Sequence, residues 1–118
     1  MELGETAKGL QNTRDGLDIT LALYRADPAE NGHKLPNLAD AYAAAGFAYA
    51  RLATQLRVDA AGKVKYWKEA RDEYQDSTDT WREVQRAHPL LAGDAKSAAS
   101  AAQGLQDADA ALAKLSGR

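Results

Sequence analysis

The stretch KYWKEARDEYQDSTDTWREV, residues 65–84, gathers the side chains best suited to chemistry: Glu69, Asp72, Asp76, Asp79 and Glu83, interleaved with Trp67, Tyr74 and Trp81. Carboxylates in such a row could serve as a general acid–base pair or hold a cation. The first role needs burial or a cleft to move a pKa, and the second needs several oxygens converging on one ion. A helix through this stretch offers neither. At 100° per residue, Trp67, Ala70, Tyr74, Ser77, Trp81 and Val84 share one face, and the five acids fall almost opposite. Arg71, Gln75, Thr78, Arg82 and Arg86 form a flank between the two. Truncating a buried aromatic costs ~3–5 kcal/mol, whereas a surface ion pair between helix neighbours contributes ~0.2–0.5 kcal/mol. The aromatic seam therefore decides where the helix sits, and the carboxylates are expected to face water.

The other reactive side chains are sparse. The two histidines, His33 and His88, form no His-x-x-x-His pair, and cysteine is absent. Ser77, Ser97, Ser100 and Ser116 lack a G-x-S-x-G setting, and no glycine loop is shaped to cradle phosphate. The expectation is a protein that is not an enzyme, with no cofactor and no metal. A net charge of −2 gives no electrostatic reason to expect nucleic acid. No run approaches the ~20 apolar residues of a membrane span, so no membrane insertion by this segment is expected. The opening MELGETAKGLQ lacks the basic start and apolar run of a signal peptide. The compartment is left open, leaning to the cytoplasm.

The elements that position these residues are helices. Hydrophobic residues make up 45% of the 118-residue chain, much of that alanine, with one phenylalanine and few β-branched residues. Such a composition favours helix over strand, and the length predicts a single all-α domain. Breakers at Asp27-Pro28 and Asn31-Gly32, at Asp59–Gly62 and at His88-Pro89 divide the chain. With Pro36 opening the second segment and Asp94 capping the fourth, helices are predicted at roughly 2–26, 36–58, 63–88 and 94–115. Gly4, Gly9 and Gly16 weaken the first, which is expected to kink or fray before Asp15. Apolar residues recur at helical steps: Leu10, Leu17, Leu21 and Tyr24 in the first; Leu38, Tyr42, Ala45, Tyr49, Leu52 and Leu56 in the second. Ala98, Ala102, Leu105, Leu112 and Leu115 do the same in the fourth. The short connections predict antiparallel helical hairpins.

Two of these segments carry a resemblance. Tyr42-Ala43-Ala44-Ala45-Gly46 followed by Tyr49 resembles the first helix of a tetratricopeptide repeat, and Ala70-x-x-x-Tyr74-x-x-Ser77 resembles its second. The stretch LDITLALYRADPAEN resembles the close of a preceding repeat. The Gly46–Ala70 spacing is twice that of the standard unit, so the repeats are elongated. In this they are similar to the repeats that follow bacterial serine/threonine protein kinases, and no kinase catalytic element is present here. The resemblance implies a protein–protein interaction or scaffold module, a fragment of a larger signalling protein with a protein or peptide partner.

In such repeats the side of the first helix away from its core stripe lines a concave groove. Phe47 lies about 200° round the helix from Ala45, at 100° per residue, and Asp40, Ala43, Ala50, Arg51 and Thr54 share its side. The resemblance implies Phe47 as aromatic anchor, with Arg51 and Asp40 as polar neighbours; the competing expectation is that Phe47 packs on the first or fourth helix. Ala44 and Phe47 stand where a carboxylate-clamping Asn would be wanted, so that clamp is not expected. A second functional alternative is a closed four-helix bundle holding a small apolar ligand among Tyr42, Tyr49, Trp67 and Tyr74. If the chain ends a longer array, Leu10, Ile19 and Leu23 on the first helix are partly exposed, and self-association as a homo-oligomer through that face is expected.

Overall fold

The computed structural model describes residues 2–26, 31–87 and 89–117. Four helices run in order: α1 (Glu2–Ala26), α2 (Asn31–Ala53), α3 (Ala60–Ala87) and α4 (Ala92–Gly117). The fold is all-α, with no strand among the described residues.

The α2–α3 hairpin is the centre of the molecule. Its turn is closed by two side chains. Asp59 caps α3, its Oδ1 accepting the Gly62 N–H at 2.8 Å. Lys63 caps α2 from the other side, its Nζ donating to the Ala53 and Gln55 carbonyls at 3.0 Å each. Further along, Ser77 Oγ donates to the Ala39 carbonyl at 2.7 Å in a buried contact. The pairings of residue 63 with 53 and of 77 with 39 make the two helices antiparallel.

Small residues let the helices approach. Ala39, Ala45, Ala70, Ala101 and Ala108 have no solvent exposure. Trp81 fills the space beside Ala39 and Ala101 together with Val84. Tyr74 and Tyr49 pack with Ala70 and Ala108. Leu17 of α1 packs with Leu38 and Ala45 of α2. The seam read from the sequence is therefore buried at Ala70, Tyr74, Ser77, Trp81 and Val84, and half-buried at Trp67. Asp72, Asp76, Asp79 and Glu83 are exposed, and Glu69 is half-buried.

The helices follow one another as an open run. α1 packs on α2, and α4 packs on α3 with a smaller contact to α2. Among the described residues α1 and α4 do not pack on each other. No helix among the described residues is long and apolar enough to cross a membrane.

Several boundaries differ from the sequence expectation. α2 spans 31–53 rather than 36–58, so Pro36 lies inside it. The preference against helix before proline is local, and here it is overridden. Leu56, expected on the apolar stripe, is left outside the helix and 99% exposed. At the early end of the helix the Ala50, Arg51 and Leu52 carbonyls accept from the Thr54 and Gln55 N–H groups, and Lys63 satisfies the Ala53 carbonyl. α3 starts at Ala60 rather than 63, since Asp59 is its cap. α4 starts at Ala92, where the Ala95 N–H donates to the Leu91 carbonyl at 2.8 Å; Asp94 sits in the first turn rather than at the cap. α1 runs unbroken through Gly9 and Gly16, whose carbonyls also accept from Thr13 and Thr20 Oγ1 at 2.9 Å each. Leu10 is half-buried against the Tyr49–Tyr74 cluster, and Ile19 and Leu23 are 62% and 57% exposed. Asp27, Pro28 and His88 lie outside the described residues, as do the side chains of Tyr24 and His33.

Candidate functional site

The face of α2 that carries Phe47 turns toward α4, and the two helices leave a hollow of about 460 Å³ between them. Ala43, Ala44 and Phe47 form the α2 wall. Ser100, Ala101, Gln103, Gly104 and Asp107 form the α4 wall, and Tyr74 of α3 contributes the floor. The hollow exists because the residues beside Phe47 are small. Phe47 itself is 57% exposed and buried against neither α1 nor α4.

Asp40, Ala43, Phe47 and Arg51 follow one another along this side of α2. The Arg51 guanidinium carbon lies 5.9 Å from the Phe47 ring centroid, a cation–π arrangement that holds the ring and leaves part of it open. Asp40, one turn before Ala43 and Ala44, is exposed, and its carboxyl is pushed above the usual range by partial burial and then by Asp94 of α4. Ala50 instead packs toward the Tyr49–Tyr74 cluster, and Thr54 spends its hydroxyl on the Arg51 carbonyl at 2.9 Å. Of the six residues expected on this side, only Ala43 and Phe47 line the hollow; Asp40, Ala50, Arg51 and Thr54 do not.

The α4 wall was not legible beforehand. Its one signal was Gly104, a glycine within an otherwise alanine-rich helix. A Cβ at Gly104 would stand 2.4 Å from Tyr74 Cε1, and one at Gly46 of α2 would stand 3.0 Å from the same ring. Two glycines on two helices thus flank Tyr74 and admit it as the floor. Asp107, at the rim, accepts from Gln103 Nε2 at 2.9 Å and helps to raise the Tyr74 phenol pKa, which burial raises first.

A second cluster lies on the opposite side of α2. Arg14 of α1 donates to the Tyr49 hydroxyl and stands 3.9 Å from Glu73 of α3. The Tyr49 ring stacks on Tyr66 at 6.5 Å between centroids. The Glu73 side chain is 13% exposed. Its carboxyl is pushed up to about 7, mainly by burial, with Arg14 opposing and Asp76, Glu69 and Asp72 adding to the rise. Glu73 stands apart from the solvated acids of its helix. Its position, three residues from Ala70 and four from Ser77, was the available signal that it borders the buried face. The arrangement ties α1 to α3 and can exchange a proton near neutrality.

Of the four aromatics considered for an apolar ligand, Tyr49, Trp67 and Tyr74 pack within one cluster, where Ala70 and Ala108 fill the space around them. Tyr42 belongs to another cluster and borders a separate hollow of about 210 Å³ with Leu35, Leu38, Asp79, Thr80 and Glu83. Among the described residues no three His, Cys, Asp or Glu side chains converge as a metal-binding group.

Comparison with known proteins finds no family model, no curated protein and no solved structure that matches the chain.

Proposed function

We propose that this chain is a non-catalytic docking module whose α2–α4 groove receives a segment of a protein partner. In that reading it is a tetratricopeptide-like piece of a larger signalling protein, as the motifs around Gly46 and Ala70 imply. One observation carries it: Phe47, the only phenylalanine, stands 57% exposed on the wall of a hollow whose other walls are mostly small side chains. An exposed aromatic beside open apolar space contributes little to the fold and is well placed to anchor a partner. Arg51, held over the ring, and Asp40 supply the flanking polar contacts.

The test is selection of binding peptides from a random display library, with the Phe47→Asp variant as the counter-target. Peptides that bind the parent chain and lose affinity for the variant, with amide shifts at Phe47 and Gly104 on titration, support the reading. Enriched peptides that bind both proteins equally, or shift residues away from the groove, overturn it.

A further inference from the structure

The floor of the α2–α4 hollow holds a polar group that the fold does not use. Tyr74 is 8% exposed and lines the hollow between the two helices. Its ring passes between Gly46 and Gly104, and a Cβ at Gly104 would stand 2.5 Å from Cζ, the carbon that carries the hydroxyl. The hydroxyl therefore emerges beside Gly104, itself a wall residue of the hollow. Among the described residues it has no hydrogen-bond partner. Tyr49, buried in the same cluster, accepts from Arg14 instead. A buried phenol normally finds a partner, and leaving the bond unmade costs more than making it returns.

Asp107 lies one turn beyond Gly104 on the same wall. It accepts from Gln103 and pairs with no cation among the described residues. Burial and then Asp107 hold the Tyr74 phenol in its protonated form, so it serves as a donor. The Asp107 carboxylate also opposes an anionic acceptor in this part of the hollow. Lys96 shares the α4 stripe with Ser100, Gln103 and Asp107, but it stands ~16 Å along the helix from Asp107 and does not line the hollow.

We propose that the Tyr74 hydroxyl is a binding group of the groove, donating to an uncharged main-chain carbonyl of the occupant while an adjacent apolar side chain of that segment lies against Phe47. This rests on the groove reading of the preceding section and adds the polar contact that fixes the segment in place. The floor offers one donor among apolar walls, and a peptide unit between apolar side chains presents one neutral acceptor to match. An occupant without that acceptor displaces water from the hydroxyl and returns nothing to it, which lowers affinity.

The probes are acetyl-Leu-Phe-methylamide and the same dipeptide ending in a free carboxylate, titrated into the protein and followed by NMR. The methylamide probe is expected to bind more tightly than the carboxylate probe, and Asp107→Asn narrows that gap. Tyr74→Phe is expected to weaken the methylamide probe ~5-fold, the worth of one hydrogen bond. The variant should melt no lower than the parent, because its hydroxyl has no partner in the fold to lose. In the parent protein the Tyr74 Cζ resonance should move on titration, which reads the contact without any substitution. If Tyr74→Phe binds the methylamide probe as the parent does, or the Cζ resonance stays fixed while Phe47 shifts, the groove reading stands and this inference falls. If the variant melts far below the parent, the hydroxyl is bonded within the fold and the inference falls. Tighter binding of the carboxylate probe overturns the uncharged acceptor. If neither probe binds at millimolar concentration, both readings fall.

Discussion

The ring of Tyr74 lies so close to Gly104 that a methyl group on that α-carbon would stand 2.4 Å from Cε1. Three helices meet at this point, since the other face of the same ring region lies against Gly46, where the corresponding distance is 3.0 Å. The ring is buried and cannot swing into solvent. The groove floor and the α3–α4 packing therefore depend on the absence of a side chain at two positions.

Gly104→Ala is accordingly expected to destabilise the protein, although alanine is the better helix former. Propensity returns ~1 kcal/mol, and overpacking of a filled core costs typically ~1–3 kcal/mol. Gly16→Ala is the matched control, because nothing lies within 4 Å of a Cβ built there. That change should stabilise by ~0.5–1 kcal/mol. Urea denaturation of both variants checks the pair. Equal gains at the two positions would show that Tyr74 does not occupy the space beside Gly104.

Ser77 is buried in the α2–α3 interface and donates to the Ala39 carbonyl. Ser77→Ala keeps the small volume the crossing needs and removes only that bond, so a loss of about 1 kcal/mol is expected. Trp81→Ala, which empties a site only 2% exposed, should cost ~3–5 kcal/mol. The ratio between the two in one set of denaturation curves tests whether packing, rather than polar bonding, holds the hairpin.

Glu73 makes stability depend on pH in a defined direction. Its carboxyl is pushed up to about 7 in the folded protein from the ordinary 4.5 of a glutamate, chiefly because burial disfavours the charge. Between those values the folded chain holds a proton that the unfolded chain has released. Stability from this group is thus full below about 4.5 and declines as pH rises toward 7. A shift of this size corresponds to at most ~3 kcal/mol, and partial solvent access reduces it. Asp40 and Asp76, also raised by burial, act in the same direction. Glu73→Gln is therefore expected to flatten the difference in stability between pH 5 and pH 8 by roughly 1–2 kcal/mol. Arg14→Ala should steepen it, since Arg14 is the one cation opposing the rise. A parent protein more stable at pH 8 than Glu73→Gln would overturn this assignment.

The contrast between Tyr74 and Glu73 shows what was readable from sequence. Tyr74, Trp81 and Val84 were legible because large apolar residues repeat at the helical period, and a period needs only neighbours in the chain. Glu73 carried only the weak signal of bordering that seam, because the group facing it, Arg14 of α1, is far away in sequence. The end of α2 was misplaced for the same reason: Lys63, ten residues beyond Ala53, reaches back to cap it. The Phe47 wall of the groove followed from one aromatic standing off its helix stripe. The α4 wall did not, since Ser100, Gln103 and Gly104 carry no large side chain to mark a face.

Phe47→Asp separates the site from the fold. A substitution at a position 57% exposed, with no role in the core clusters, should change stability by no more than ~0.5 kcal/mol. Loss of the Arg51 contact adds a few tenths at most, because exposed cation–π pairs are worth ~0.5–1 kcal/mol and the new carboxylate can pair with the same guanidinium. The groove, in contrast, loses its aromatic anchor and gains a carboxylate on the wall opposite Asp107. The expected outcome is an unchanged melting transition together with at least a tenfold loss of affinity for any groove-binding peptide, the order of a hot-spot truncation of about 2 kcal/mol. Calorimetry and anisotropy on the same preparation read both quantities. A large drop in melting temperature would mean that Phe47 belongs to the core after all, and affinity that survives the exchange would move the binding site off this face of α2.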